Sequence, residues 1–356
     1  MTVHDPILAA AQRARAAIPD DTVMLRAAAE LARDYAHADP RIYWPDLLAS
    51  ALIGWSALAG AILIDNLAIA LACGLVSMLA LYRAASFIHE LTHIRKGALP
   101  GFRLGWNLVV GLPLMIPSFM YEGVHTQHHA RTRYGTAEDP EYLPLALMKP
   151  WSLPLFILVA ALAPVGLILR FGVLTPLSLL IPALRRKVVA EFSALSINPA
   201  YRRRTPEGAF ARQWAWQEAG ACIVALALVG SVFAFGWKPL LVYMAVHSAM
   251  TVINQLRTLV AHLWENEGEA MTVTAQYLDS VNVPPPATLP ALWAPVGLRY
   301  HALHHLLPSV PYHALGKAHA RLMAMIDAES PYHRGNYTGM IPLVGKIARS
   351  TMTRRA

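Results

Sequence analysis

The chain has 356 residues, of which 56% are hydrophobic and only 15% charged, with a mean hydropathy of +0.39. That composition excludes an ordinary soluble domain of this length and places the chain in a bilayer. The net charge of +8 does not argue for a nucleic-acid partner: the basic residues cluster beside apolar spans, where cytoplasmic retention of loops accounts for them, and no nucleic-acid reading motif accompanies them.

Residues 1 to about 45 alternate Ala-rich stretches with Arg13, Arg15, Arg26 and Arg33, a pattern that predicts one or two amphipathic helices on the cytoplasmic membrane surface. Charges interrupt the first twenty residues throughout, so no cleaved signal peptide is expected. Leu47 to Ile64 and Leu67 to Ile88 are apolar runs of roughly the 20 residues that span the hydrocarbon core. Asp65-Asn66 joins them as an antiparallel hairpin. Leu108 to Met120, broken by Gly111, Pro113 and Pro117, is too short to cross and reads as re-entrant or interfacial. Residues 152–184 are apolar but carry Arg170 and several prolines, which fits either a short hairpin or two surface helices. A second hairpin runs from Ala219 to Phe235 and from Leu240 to about Val260, with Gly236-Trp237-Lys238 as its outer turn.

The predicted fold is therefore all-α: an integral membrane helical bundle of about four transmembrane helices in two hairpins, with a cytoplasmic histidine-rich cap. The expected organisation is an amphipathic region over 1–45, a membrane domain over 46–330 and a basic tail over 331–356. Arg185-Arg186-Lys187 and Arg202-Arg203-Arg204 mark the cytoplasmic side.

Eight of the 15 histidines form three clusters: His89/His93, His125/His128/His129 and His301/His304/His305. Eight imidazoles exceed the positions around one metal, so the clusters read as a two-metal site. His89 and His93 share a helical face, with Cβ atoms about 5–6 Å apart. In His125-x-x-His128-His129 the outer pair shares a face while the middle ring points about 100° away, so one triplet can feed two ions. The third cluster repeats that spacing.

Two rivals need weighing. His89-Glu90-Leu91-Thr92-His93 is also the H-E-x-x-H pattern of an intramembrane zinc protease, with Glu90 as base. That reading leaves six clustered histidines unexplained. A metal transporter would place ligands inside the crossings, whereas these lie outside full apolar spans. Cys73 and Cys222 stand far apart and encode no iron–sulfur centre, so any electrons must come from another protein.

The ordered boxes HELTH, HTQHH and HALHH resemble those of the integral-membrane fatty acid desaturase family. The resemblance extends from about residue 45 to residue 325 and includes GALPGFRLGWN, RYGTAEDPEY and LRYHALHHLLPSVPYHAL. It implies a ninth ligand, His262 in NQLRTLVAH, although a histidine there also suits a helix end. His247 lies about 22 Å away along the same helix and cannot share the cluster; interhelical hydrogen bonding is its expected role. His4, His37, His313, His319 and His333 fit no spacing pattern and read as surface or capping residues.

What the resemblance implies is two iron ions, dioxygen as co-substrate and an acyl lipid or fatty acyl thioester as substrate. It further implies an electron donor such as a ferredoxin or cytochrome-b5-like protein, and a bacterial inner membrane with the site facing the cytoplasm; the basic segments 185–187 and 202–204 offer an acidic donor a dock, although topology alone also explains their charge. Desaturation is the expected outcome, with hydroxylation or ketolation of an alkane, carotenoid or sphingoid lipid as the alternative. Glu90, Glu122, Asp139, Glu141 and Asn254 are near enough in sequence to orient the imidazoles. Trp106, Tyr121, Trp264, Trp293 and Tyr300 are expected to form an interfacial belt, or to line an acyl channel.

Overall fold

The computed structural model describes residues 10, 13–95 and 97–353, so His4 lies outside the described residues. Helix α1 (Thr22–Tyr35) starts where the Asp21 side chain accepts from Val23 and Met24 N–H. Its apolar face, Met24, Ala27, Ala28 and Leu31, is buried in a cluster with Leu315, Ala318 and Leu322. Protein, rather than membrane, covers that face.

The first hairpin is α2 (Pro40–Leu63) and α3 (Leu67–His93), capped by Asp39 and Asn66 at their starts. The helices approach closely at Gly54, where an added Cβ would lie 2.7 Å from the Leu81 side chain. Outward-facing Leu52, Leu63, Leu67, Leu71 and Leu75 are exposed, a lipid-facing surface of the kind a soluble chain does not leave bare. Next comes the broken stretch after α3. Trp106, Val110, Leu114, Met115 and Phe119 are all buried, and Trp55 Nε1–H and Tyr243 O–H donate to the carbonyls of Val109 and Pro113. The stretch is thus re-entrant, packed inside the bundle.

Residues 152–191 form α4 (Ser152–Ala161), α5 (Ala163–Leu180, with a π-helical turn over Leu169–Leu174) and α6 (Pro182–Glu191). Both ends of this excursion return to the histidine-bearing end of the bundle: Ala146 N–H bonds Trp264 O, and Leu195 N–H bonds Met120 O. Its two arms meet on Glu218 of the next helix, which accepts from Arg170 at 2.6 Å and from Arg185 at 2.7 Å. It is an excursion that comes back to one side, as a hairpin does.

The second hairpin is α7 (Gly208–Phe235) and α8 (Trp237–Leu259). Gly236 between them has φ +71, a left-handed backbone that glycine supplies without steric cost. By length and apolar composition, the helices able to cross a membrane are α2, α3, α5 and α7. That set differs from expectation in one member. Helix α8 has the length, but Lys238, His247, Asn254, Gln255 and Arg257 lower its hydropathy, whereas the kinked α5 passes. No strands occur among the described residues; three isolated bridges tie the cap together. That cap comprises α9 (Val273–Asp279), α10 (Tyr312–Met325), α11 (Met340–Thr353) and the loops between them.

Arg170 is 4% exposed, so its pairing with Glu218 carries a charge in the interior. Glu218→Ala is expected to lower stability by about 3–5 kcal/mol, because it strands that charge. The midpoint of thermal unfolding in detergent checks this, and an unchanged midpoint contradicts it.

Candidate metal centre

All nine candidate histidines converge. The end of α3 supplies His89 and His93, and the short helix His125–His128 with its cap residue supplies the second box. His301–Leu306 supplies the third, and His262 follows the end of α8, bridged to Ser280. Two groups result: His89, His93, His125, His129 and His304 form one, and His128, His262, His301 and His305 the other. Within each group the ligand atoms lie within 4.8 Å of one another.

The helical period explains the partition. The i, i+4 pairs 89/93, 125/129 and 301/305 each stay together, while the middle rings His128 and His304 cross to the other group.

The donor chemistry fits metal. Nε2 of His125 and His129 stand 3.0 Å apart, those of His262 and His301 2.9 Å, and those of His93 and His304 3.1 Å. Adjacent ligands on one ion bound at about 2.1 Å have that separation. The surroundings fix the tautomer of His262. Tyr134 O–H donates to Asp279 at 2.9 Å, so its oxygen accepts from His262 Nδ1–H at 2.8 Å and Nε2 is left bare. His128 Nδ1–H likewise donates to Asp139 at 2.9 Å, and His125 Nδ1–H to Glu141 at 2.8 Å. Both nitrogens of His89 are buried with no hydrogen-bond partner. These are the outer contacts that orient ligating imidazoles.

Electrostatics favour neutral rings. Burial holds His125, His129, His262, His301, His304 and His305 well below the usual histidine range. For His128 burial also pushes down, but Asp139, Glu141 and Asp279 outweigh it and the net shift is upward. Burial pushes Glu141 up to about 7 and Asp279 up to about 6.

Among the carboxylates named from sequence, Asp139 and Glu141 take the expected role. Glu122 instead pairs with Arg103 at 2.7 Å, and Asn254 accepts from Arg257 at 3.2 Å. Glu90 is bound by Tyr43 O–H and by Tyr312 N–H at 3.0 Å, with its nearer oxygen 3.7 Å from His89 Nδ1. A carboxylate so occupied is not poised as the base of a zinc protease. Sequence reasoning missed Tyr134, Asp279 and Ser280, the partners of His262.

The aromatic residues are largely structural. Trp106 and Trp264 are fully buried, each donating its indole N–H to a carbonyl, of Ala84 and Leu259 respectively. Tyr121 O–H donates to Glu141 at 2.7 Å. His319 is buried with Tyr332 O–H at 2.8 Å, His313 receives the Asp39 N–H at the start of α2, and His37 is exposed. His247 is buried with neither ring nitrogen bonded, so interhelical hydrogen bonding does not explain it.

Gly135 begins the loop that carries Asp139: it has φ +70 and its N–H bonds Asp139 at 2.9 Å. A Cβ there would lie 2.7 Å from Asn266 Nδ2. Gly135→Ala is expected to cost about 1–3 kcal/mol through strain and to loosen His128, read as a lower unfolding midpoint and reduced metal content.

Comparison with known proteins agrees with this geometry. The family model described as fatty acid desaturase matches residues 65–337. A curated relative, "Ceramide hydroxylase" of Caulobacter vibrioides (strain NA1000 / CB15N), is 48% identical over 339 residues, covering 94% of this chain and 96% of that protein. No solved structure gives a significant match. The chain is an oxidoreductase-family membrane protein, and it belongs to the fatty acid desaturase family.

Proposed function

We propose that the protein is a membrane di-iron hydroxylase of ceramide-type lipids, the sphingoid member of the alternatives raised by the sequence, rather than an acyl-lipid desaturase. The observation that carries this is the 48% identity to a ceramide hydroxylase along nearly the whole of both chains. The nine histidines His89, His93, His125, His128, His129, His262, His301, His304 and His305 are the proposed ligands, split five and four. Bound there, two irons would supply the activation of dioxygen needed to break an unactivated C–H bond, which side chains alone cannot do.

The chain's own residues do the rest. Asp139, Glu141 and Tyr134 hold three rings in one tautomer, and six of the nine rings are buried. Hydroxylation consumes one dioxygen, two electrons and two protons for each C–H converted to C–OH, and releases one water. The electrons come from an external donor such as a ferredoxin or cytochrome-b5-like protein. Arg186 and Arg204 are exposed and available to an acidic donor, whereas Lys187 and Arg202 pair with Glu191, Arg185 is paired with Glu218, and Arg203 is buried against the carbonyls of Met120, Ser193 and Glu122. The same basic residues support a site on the cytoplasmic side, and the bacterial relative supports a bacterial inner membrane.

The test is expression in a host lacking the activity, followed by lipid mass spectrometry and metal analysis. Ceramide heavier by one oxygen, with iron bound, supports hydroxylation. A lipid lighter by two hydrogens restores the desaturase reading, and bound zinc with unchanged lipids overturns both.

A further inference from the structure

Residues 284–297, PPPATLPALWAPVG, carry no charged side chain, and none occurs anywhere between Asp279 and Arg299. Both ends of the segment are fixed at the metal centre. Ser280, shortly before it, is bridged to His262, and the third histidine box begins at His301, shortly after it. Arg299 closes the base, donating to the carbonyls of Val283 at 2.8 Å and Ala287 at 2.7 Å, while Val283 N–H donates to Arg299 O at 2.7 Å. What lies between is a loop thrown out from the four-histidine group.

The loop reaches a helix able to cross the membrane. The carbonyl of Trp293 accepts from Tyr82 O–H at 2.9 Å, and Tyr82 lies seven residues before His89 on α3, about 10 Å along the axis toward the helix start. That level is inside the apolar run of α3. The turn of helix Pro290–Trp293 also lies against α8. The exposed large apolar residues of α3 end at Val76, six residues short of Tyr82, and beside this covered part of the helix the loop leaves Leu289 67% and Leu292 50% exposed. The lipid-facing surface of the bundle is thus taken up by the loop where α3 itself becomes buried.

The backbone suits an apolar setting. Irregular chain in contact with lipid is penalised for every bare N–H, and five of the fourteen residues here are prolines, which have none. The N–H groups of Ala291, Leu292, Trp293 and Ala294 are bonded within the turn, to the carbonyls of Thr288, Leu289 and Pro290. On its protein side the loop is anchored, since Ala287 and Trp293 pack against the cluster of Val260, Leu263, Val281 and Val283. A half-buried tryptophan at such a place is the residue type that settles at the membrane interface.

We propose that residues 284–297 form a membrane-inserted loop whose exposed face, Leu289 and Leu292, is held by lipid in the leaflet nearer the metal centre. The cap is then not only seated on the ends of the helices. Bilayer lipid itself anchors the connection between Ser280, which touches His262, and the third histidine box.

The experiment places an environment-sensitive fluorophore on Leu292→Cys in full-length protein whose own two cysteines are removed as Cys73→Ser and Cys222→Ser. The protein is held in nanodiscs of phosphatidylethanolamine and phosphatidylglycerol. Two quenchers are compared, a lipid carrying a doxyl group near its head and iodide in the water. Leu71→Cys on the exposed face of α3 is the lipid reference, and Glu329→Cys on the exposed cap is the water reference. The label at 292 is expected to emit to the blue of the label at 329, to lose as much intensity to the doxyl lipid as the label at 71, and to escape iodide. Quenching by iodide as at 329, with none by the doxyl lipid, overturns the proposal. Shielding from both quenchers also overturns it, because protein and not lipid then covers the face. Should Leu292→Cys fail to fold, Leu289→Cys carries the same reading from the other exposed leucine.

Discussion

Replacing His304 by Ala is expected to abolish product and to lower bound metal from about two ions per chain to about one. His304 is the ring of the third box that crosses into the group built by the first two. Its Nε2 stands 3.1 Å from that of His93, and its ring centroid lies 4.3 Å from that of His89. Without it the five-histidine group keeps four rings but loses its link to the His301–Leu306 helix. The matching change, His301→Ala, removes a ring from the four-histidine group and should deplete the other ion. Metal analysis and product mass spectrometry on both variants check the partition. Retained activity in His304→Ala would remove the third box from the site. Equal loss of both ions in each variant would mean that the groups fill as one unit.

Much of this was legible in the sequence, for a physical reason. A spacing of i, i+4 fixes two rings on one helical face whatever lies around them, so each outer pair was readable from the three boxes alone. The direction in which the middle rings turn was also readable, but not which partner they meet, because that depends on how α3 and the two box helices are set against one another. The first hairpin followed from apolar length, since Asp65-Asn66 is a short polar break between two long runs.

The second hairpin was harder, because α8 trades apolar residues for polar ones, Asn254 and Arg257 among them. Carboxylate roles depended on burial, which sequence does not carry. Glu138, Asp139 and Glu141 look alike in the chain, yet Glu138 is exposed and Asp139 is fully buried on His128. Tyr134 and Asp279 are 128 and 17 residues from His262, and no periodicity links them to it. The aromatic side chains misled because a tryptophan next to a polar box reads as an interfacial anchor, whereas Trp106 and Trp264 fill the interior.

Asp139→Ala should have the second largest effect: metal affinity lower by about 10- to 100-fold, with activity falling in proportion. Asp139 has no exposed surface and accepts four hydrogen bonds: two from His128 Nδ1–H, shared between its oxygens at 3.0 and 2.9 Å, and one each from the Gly135 and Glu141 N–H groups at 2.9 Å. It therefore does two things at once, aiming His128 at the four-histidine group and closing the loop that places Glu141 on His125. Alanine strands the backbone N–H groups of Gly135 and Glu141 and frees His128 to rotate. Asparagine tells the two roles apart, because its carbonyl oxygen still accepts from a backbone N–H while the negative charge that favours His128 Nδ1–H is gone. Asp139→Asn strands one of these two N–H groups where alanine strands both, and is thus expected to keep a higher unfolding midpoint than Asp139→Ala while still holding metal more weakly than wild type. Metal titration together with thermal unfolding reads both quantities. If Asn and Ala lose stability and metal alike, Asp139 acts through the loop alone, and the orientation of His128 is set elsewhere.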